Sequence, residues 1–213
     1  MKRSGRAAGL AVALLLALSC ASDRAEKKAA PVERPKPPES YRVKLETTQG
    51  DILIEVKREW APRGSDHFWD LTRTGFYDNV KFHRVLKQFI AQFGINGDPR
   101  TNSLYAQLRI ADDPPKLKNT KGTVAFAKIG ANSRSTEAFI NLKNNPELDS
   151  TGFVPFGRVV EGMDTAGKLA FVYGDVMPRG SGVDTKRAAL EGNEYLTRHF
   201  PRMDSIRKAS LVP

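Results

Sequence analysis

Residues 81–98, KFHRVLKQFIAQFGINGD, gather a charged pair, an apolar ledge and an amide into one short stretch. His83 and Arg84 sit between Phe82 and Val85. After Leu86 the run Phe89, Ile90, Gln92, Phe93 ends in a glycine turn from Gly94 to Gly97, which reads as a strand, a bend and a second strand. Neighbours in a half-buried strand point to opposite faces, so Phe82 and Arg84 are expected on one face and His83 and Val85 on the other. An arginine beside an aromatic face can hold a carbonyl with a planar fork of donors that does not lose its proton. Nothing in the stretch has the look of a nucleophile.

Toward the amino end, Tyr41 to Glu46 alternates apolar and polar residues, Thr47 to Gly50 supplies a turn, and Asp51 to Val56 is apolar enough for a strand buried on both faces. Pro62 suits a helix first turn, Phe68, Leu71 and Trp69 give an inner face, and Gly75 supplies a left-handed stop, so 62–74 is read as a helix. His67 within it lacks a partner at metal-binding spacing and is expected at the surface. Toward the carboxyl end, residues 94–118 form a long connection of the kind that usually packs over a site. Its paired acids, Asp112 and Asp113, flanked by prolines, suit a loop and helix-capping role. Residues 123–127 and 138–141 read as strands facing each other across the polar loop 130–136. Gly157 to Val160 adds another, and a helix begins at Asp164. The tail holds a glycine-rich segment (174–182), a helix near 185–191 and an amphipathic stretch from Tyr195 to Ile206.

The 81–98 stretch resembles the signature of the cyclophilin peptidyl-prolyl isomerases: Phe-His-Arg, apolar residues, Phe, an apolar residue, x-Gln and a Gly-Asp close. Two further blocks follow in the family's order, Gly122 to Ile140 (GTVAFAKIGANSRSTEAFI) and Leu148-Asp149 with Phe156 to Asp164. The resemblance spans roughly Tyr41 to Phe171. It implies a mainly β fold, a closed eight-stranded antiparallel barrel capped by two helices, here with a C-terminal helical extension (173–213) packing on the barrel domain (41–172). Many short strands with two helices agree with closure, which removes exposed edges.

The resemblance further implies Arg84 as the catalytic cation, Phe89, Ile90, Phe139 and Leu148 as a proline slot, and Gln92 holding either the substrate backbone or Arg84. Ala127 and Lys128 match rim positions. Three positions depart from the family's habit: Glu137 stands where glutamine is usual, Glu147 where many members have tryptophan, and Phe153 where many have histidine. Read from periodicity alone, Phe89, Ile90 and Phe139 would be barrel core and Arg84 an ion pair on a sheet face. By the family's geometry Glu137 is expected across the pocket from Arg84, drawing the guanidinium toward itself; the alternative is that it points to solvent or accepts a substrate N–H. The implied activity is X-Pro isomerisation in proline-containing polypeptides with no metal or organic cofactor; the alternative is a proline-peptide-binding or chaperone module with little turnover.

The 213 residues leave room for one ordinary domain with tails, and 40% hydrophobic with 27% charged residues is a globular composition. The first twenty residues have a positive n-region (Lys2, Arg3, Arg6), an apolar h-region from Gly9 to Leu18 and small residues before Cys20, as export signals do. Residues 1–19 are therefore read as a signal peptide. The lone cysteine, Cys20, resembles the lipid acceptor of bacterial lipoproteins, with Ala17-Leu18-Ser19 transposing the usual order; the other reading is ordinary cleavage after Ser19. Removing residues 1–19 takes away three positive charges and no acid, so the net charge of +10 becomes +7. The basic residues are scattered among acids without a nucleic-acid module, so no nucleic-acid partner is expected. Residues 20–40, with four prolines and Val32 as their only large apolar residue, form an extended tether. The expectation is a monomer on the periplasmic side of a bacterial envelope, lipid-anchored at Cys20, or else soluble periplasmic or secreted.

Overall fold

The alternating residues Ser40–Thr47 (β1) and the apolar run Gly50–Lys57 (β2) pair antiparallel, with Val43 opposite Ile54 and Leu45 opposite Ile52. The computed structural model describes residues 35–213. The proposed signal peptide, Cys20 and most of the tether lie outside the described residues. In β2 only Ile52, Ile54 and Val56 are fully buried while Leu53 and Glu55 are half-buried, so this strand has one core face rather than two. Helix α1 (Pro62–Arg73) buries Phe68, Trp69 and Leu71. Its N-cap, Ala61, offers no side-chain acceptor. Asp113 fills that role from the long connection, accepting the Arg63 N–H at 3.0 Å and the Gly64 N–H at 2.9 Å.

The chain continues through β3 (Val80–Lys81), β4 (Arg84–Val85), β5 (Ile90–Phe93), α2 (Pro99–Ala106), β6 (Thr123–Phe126), β7 (Ala138–Asn141), α3 (Pro146–Ser150), β8 (Pro155–Glu161), α4 (Met163–Lys168), α5 (Thr185–His199) and β9 (Ser205–Val212). Helix α2 was not foreseen in the 94–118 connection, although Asp98-Pro99 carries its start signal. Asp98 caps it by accepting the Arg100 N–H at 3.0 Å, and Pro99 takes a position where a missing N–H costs nothing.

The nine strands form one sheet in the order β3-β9-β1-β2-β8-β6-β7-β5-β4. Its two ends are the two-residue strands on either side of Phe82-His83, joined by the chain and by no ladder. The expected closed eight-stranded barrel is thus a curled, open half-barrel of nine strands with several helices. Edges only two residues long leave little unpaired backbone. The ninth strand comes from the tail: Pro201 ends the helical run after α5, and Ser205–Val212 inserts between β1 and β3. The C-terminal extension is therefore helical over Thr185–His199 only. The break at Phe82-His83 also defeats the expected alternation. Phe82 and Val85 both enter the main core, His83 is buried with its Nε2 3.0 Å from Glu137, and Arg84 lies on the other side from Phe82 and Val85.

The main core lies between α1 and the inner face of the sheet, where Phe68 and Phe126 both pack on Phe156 with ring centroids 4.7 Å apart. Each such ring contributes about 1.5–3 kcal/mol by leaving water. A second cluster joins Ile95, after β5, to Val176, Val183, Ala188, Leu196 and Phe200 of the tail. The loop between β6 and β7 is fixed by Arg134. Its Nη2 donates to Asp113 at 3.0 Å and to the Ala111 carbonyl, and its Nε lies 3.3 Å from Asp112.

Candidate active site

Strand register builds the site. Arg84 on β4 is opposite Gln92 on β5, Gln92 is opposite Phe139 on β7, and Phe139 is opposite Ala125 on β6. Directly opposed residues on paired strands share a face. The guanidinium, the amide and the aromatic ring therefore form one row across three strands, which Ala125 continues onto a fourth. Ile90, Ala125 and Phe139 make an apolar cluster of their own, apart from the main core, with Phe89, Ala127, Leu148 and Phe153 packed on it. The edge of Phe153 meets Phe139 at 5.7 Å. It completes the slot wall where a histidine was expected from the family's habit.

A buried amide network holds the far wall. Asn119 donates from its backbone and its side chain to Asp149, at 2.9 and 2.8 Å, and to the Phe153 carbonyl at 2.8 Å. Asn145 donates to the Phe89 carbonyl at 3.0 Å and to Asn141 at 2.7 Å. These bonds tie short α3, which carries Leu148, to the ends of the slot. Glu147 on the same helix is exposed and is not among the residues that line the slot.

Arg84 is the centre of a polar chain. Nε and Nη2 donate to the two oxygens of Asp175 at 2.6 and 3.2 Å, and Nη1 donates to Gln92 Oε1 at 3.2 Å. The guanidinium sits 5.7 Å from the centre of the Phe89 ring. The Gln92 amide donates to Glu137 at 2.7 Å, and His83 Nε2 lies 3.0 Å from the same Glu137 oxygen, at ion-pair distance but out of hydrogen-bond alignment. Glu137 therefore grips Gln92 and His83, and the carboxylate that holds Arg84 is Asp175. Desolvation works to raise the Glu137 carboxyl, but His83, the Gln92 amide and the nearby Arg84 charge outweigh it and hold the group below its usual range. Asp175 is also held low. Partial burial opposes ionisation, and the Arg84 bonds and charge, the Val176 N–H and Arg179 prevail.

All eight substrate-site residues expected from sequence, Phe89, Ile90, Gln92, Ala127, Lys128, Glu137, Phe139 and Leu148, line one open cleft of about 720 Å3 together with Arg84. Lys128 reaches from its rim to Asp112 at 3.1 Å and over the Phe153 ring at 5.9 Å. Sequence reasoning missed the opposite wall, Asp175, Val176, Met177 and Arg179 from the glycine-rich tail segment. No local motif marks that segment, which lies 91 residues from Arg84. His67 is not a free surface group either: its Nε2 is 2.7 Å from the Ser135 carbonyl, and burial lowers its pKa. Among the described residues no three His, Cys, Asp or Glu side chains converge as a metal site would require.

The family model for cyclophilin type peptidyl-prolyl cis-trans isomerases matches residues 42–183. The chain belongs to that family and is an enzyme of that type. It is 37% identical over 145 residues to peptidyl-prolyl cis-trans isomerase CYP18-2 of Arabidopsis thaliana, covering 65% of this chain and 84% of that protein. It is 35% identical over 136 residues to peptidyl-prolyl cis-trans isomerase B of Escherichia coli, covering 60% and 82%. A Cryptosporidium parvum cyclophilin type isomerase shares the fold, with a TM-score of 0.59 at 21% identity over 82% of this chain and 98% of that one. A second structure of that protein, determined in the presence of the dipeptide Ala-Pro, has a TM-score of 0.57 at 21% identity, covering 81% and 99%.

Proposed function

We propose that the enzyme isomerises X-Pro bonds in exported or envelope polypeptides as they fold, with Arg84 as the cation that acts on the substrate carbonyl. Phe89, Ile90, Phe139 and Leu148 form the slot for the proline ring. The observation that carries this reading is the row Arg84, Gln92, Phe139, which sets a guanidinium fork beside an apolar slot open to solvent. Rotation about the prolyl bond crosses a barrier of about 18–20 kcal/mol by losing amide resonance, and no covalent bond breaks. Bringing tens of seconds down to milliseconds requires about 5–7 kcal/mol of preferential binding to the twisted amide. A slot that fixes the ring and a preorganised donor for the flanking carbonyl supply interactions of that size.

The substrate class, proline-containing peptides, is supported by the slot and by the family. The export context is supported by the n-region, the h-region and Cys20, and lipidation at Cys20 is part of the same reading. The Pro-rich composition of residues 20–40 suits a linker that holds a domain off a membrane. A protease-coupled assay on an Ala-Pro peptide tests the activity: Arg84→Ala should lower kcat/KM about 100- to 1,000-fold at an unchanged melting temperature. No acceleration by the unmutated protein, with measurable peptide binding, would favour a binding module. For the location, Cys20→Ser should move the protein from the membrane to the soluble envelope fraction.

A further inference from the structure

The Arg84 fork is already engaged along its Nε and Nη2 edge. Two of its five N–H groups are on Asp175 and one is on Gln92. A peptide carbonyl is a neutral acceptor, and a carboxylate engaged along the Nε and Nη2 edge is a stronger one. We infer that Asp175 competes with the substrate carbonyl for Arg84, so that the tail loop from Tyr173 to Val183 sets how readily the slot accepts a proline peptide. This rests on the isomerase reading and adds to it a residue outside the three sequence blocks that carry the resemblance.

The loop is built to present that carboxylate. Its backbone closes on itself through Gly182 N–H to Asp175 O at 2.9 Å, Met177 N–H to Val183 O at 3.0 Å and Gly180 N–H to Val176 O at 3.1 Å. A Cβ on Gly180 or Gly182 would lie 2.5 or 2.7 Å from the Asp175 carbonyl oxygen, so these glycines are required by the close approach. Val176 and Val183 anchor the loop in the tail's own cluster against Ile95. The Asp175 carboxylate also accepts the Val176 N–H at 2.8 Å and faces Arg179 Nε at 3.4 Å. It is thus held in place from its own loop as well as by Arg84. Met177 and Arg179 extend the same wall along the cleft.

A site whose competent form is only a fraction of the population binds more weakly by that fraction. If the pair holds Arg84 about nine-tenths of the time, freeing it strengthens peptide binding about tenfold. Asp175→Asn keeps the shape and removes the charge. It should lower KM on an Ala-Pro peptide, and the Kd for the Ala-Pro dipeptide by calorimetry, about tenfold with kcat little changed. In an Arg84→Ala background the same substitution should have no effect, because Asp175 acts through Arg84. Asp175→Ala, with the melting temperature followed in parallel, controls for a collapsed loop and should show the same fall in KM.

A fall in kcat with KM unchanged in both Asp175 variants would overturn the inference and make Asp175 a residue that orients Arg84. An unchanged KM and Kd would overturn it as well. Turnover absent from every variant, with tighter dipeptide binding in Asp175→Asn, would sink the isomerase reading and keep the competition. Absence of both turnover and binding throughout would remove both.

Discussion

Two arginines in this molecule make the same kind of contact and do different work. Arg84 and Arg134 are both nearly buried, with side-chain exposures of 11% and 1%, and each is paired with carboxylates from a distant loop. Arg134 is sealed. Its main partner, Asp113, has no exposed side-chain surface and also caps α1, and Gly64 of that helix packs against Nη1 so closely that a Cβ there would lie 3.2 Å away. Arg84 faces an open cleft beside an apolar slot, and its carboxylate sits on a loop that is 24% exposed at Asp175. The ion pair as such says nothing about function. Access decides: a guanidinium closed in by helix and loop is a structural clamp, and one at the mouth of a cleft is open to exchange its partner for a ligand.

The largest expected effect breaks the clamp. Arg134→Ala removes a buried guanidinium and leaves Asp113 with the two α1 N–H groups and the Arg63 guanidinium at 3.8 Å; breaking a buried pair costs up to about 3–5 kcal/mol, a large part of the roughly 5–15 kcal/mol that holds a domain together. Urea denaturation should show this loss, with isomerase turnover per folded molecule retained. A loss under about 1 kcal/mol would mean that the loop relaxes and the contrast between the two arginines is weaker than drawn here. Next comes Arg84→Lys, which keeps the charge and loses the planar fork. It should lower kcat/KM about tenfold to a hundredfold and change stability by less than about 1 kcal/mol, since the Arg84 and Asp175 pair is partly exposed and screened. Equal activity with lysine would show that only charge is used.

What the sequence could show of these two sites differs for a physical reason. Most strands through β8 are legible as short-range alternation, whereas the slot and the role of Arg84 come from the resemblance, because periodicity alone reads those residues as core and an ion pair and the row across them is set by register between strands. Arg134 was passed over in a polar loop, because only the folded position of Asp113 turns that loop into a buried network. Asp175 was passed over as part of a flexible glycine-rich segment, and Glu137 was given its role. A competing carboxylate was foreseen in kind, but the register that aims Glu137 at Gln92 and His83 is not visible in one dimension. The count of strands failed similarly, because β9 lies beyond the family-like region and its insertion depends on pairing with the distant β1.

Acid separates the two sites further. Glu137 and Asp175 in the Arg84 site and Asp112 beside Arg134 are all held below their ordinary values, 4.5 for the glutamate and 3.8 for the aspartates. In each case desolvation opposes the shift and partners outweigh it: His83 and Gln92 for Glu137, Arg84 for Asp175, and the Asn132 N–H and Lys128 for Asp112. A lowered folded value means stabilisation fully present above the unfolded value and lost as pH falls through the folded one. The melting temperature should therefore be nearly level from pH 7 to about 5 and fall below about 4. The Glu137→Gln, Asp175→Asn double variant should flatten that fall more than Asp112→Asn does. The reverse order would place the acid-labile part of the fold at the clamp.

The smallest expected effect is at the residue that belongs to both regions. Lys128 lines the cleft, yet its Nζ is committed to Asp112 at 3.1 Å, so its charge is spent on the Arg134 network while the same Nζ lies 5.9 Å from the centre of the Phe153 ring. Lys128→Met keeps the apolar stem and removes the ammonium. The lost pair is 10% exposed at Lys128 and 26% at Asp112, and Asp112 keeps the Asn132 N–H at 3.1 Å and the nearby Arg134, so the stability loss should be no more than about 1 kcal/mol. KM on the proline peptide should change less than about threefold, because the slot wall made by Phe153 and Phe139 stays covered. Titrating the variant with Ala-Pro and following its urea midpoint measures both quantities. A collapse in peptide affinity at unchanged stability would show that the ammonium leaves Asp112 to meet the substrate, and would move Lys128 from the clamp's side of the comparison to that of Arg84.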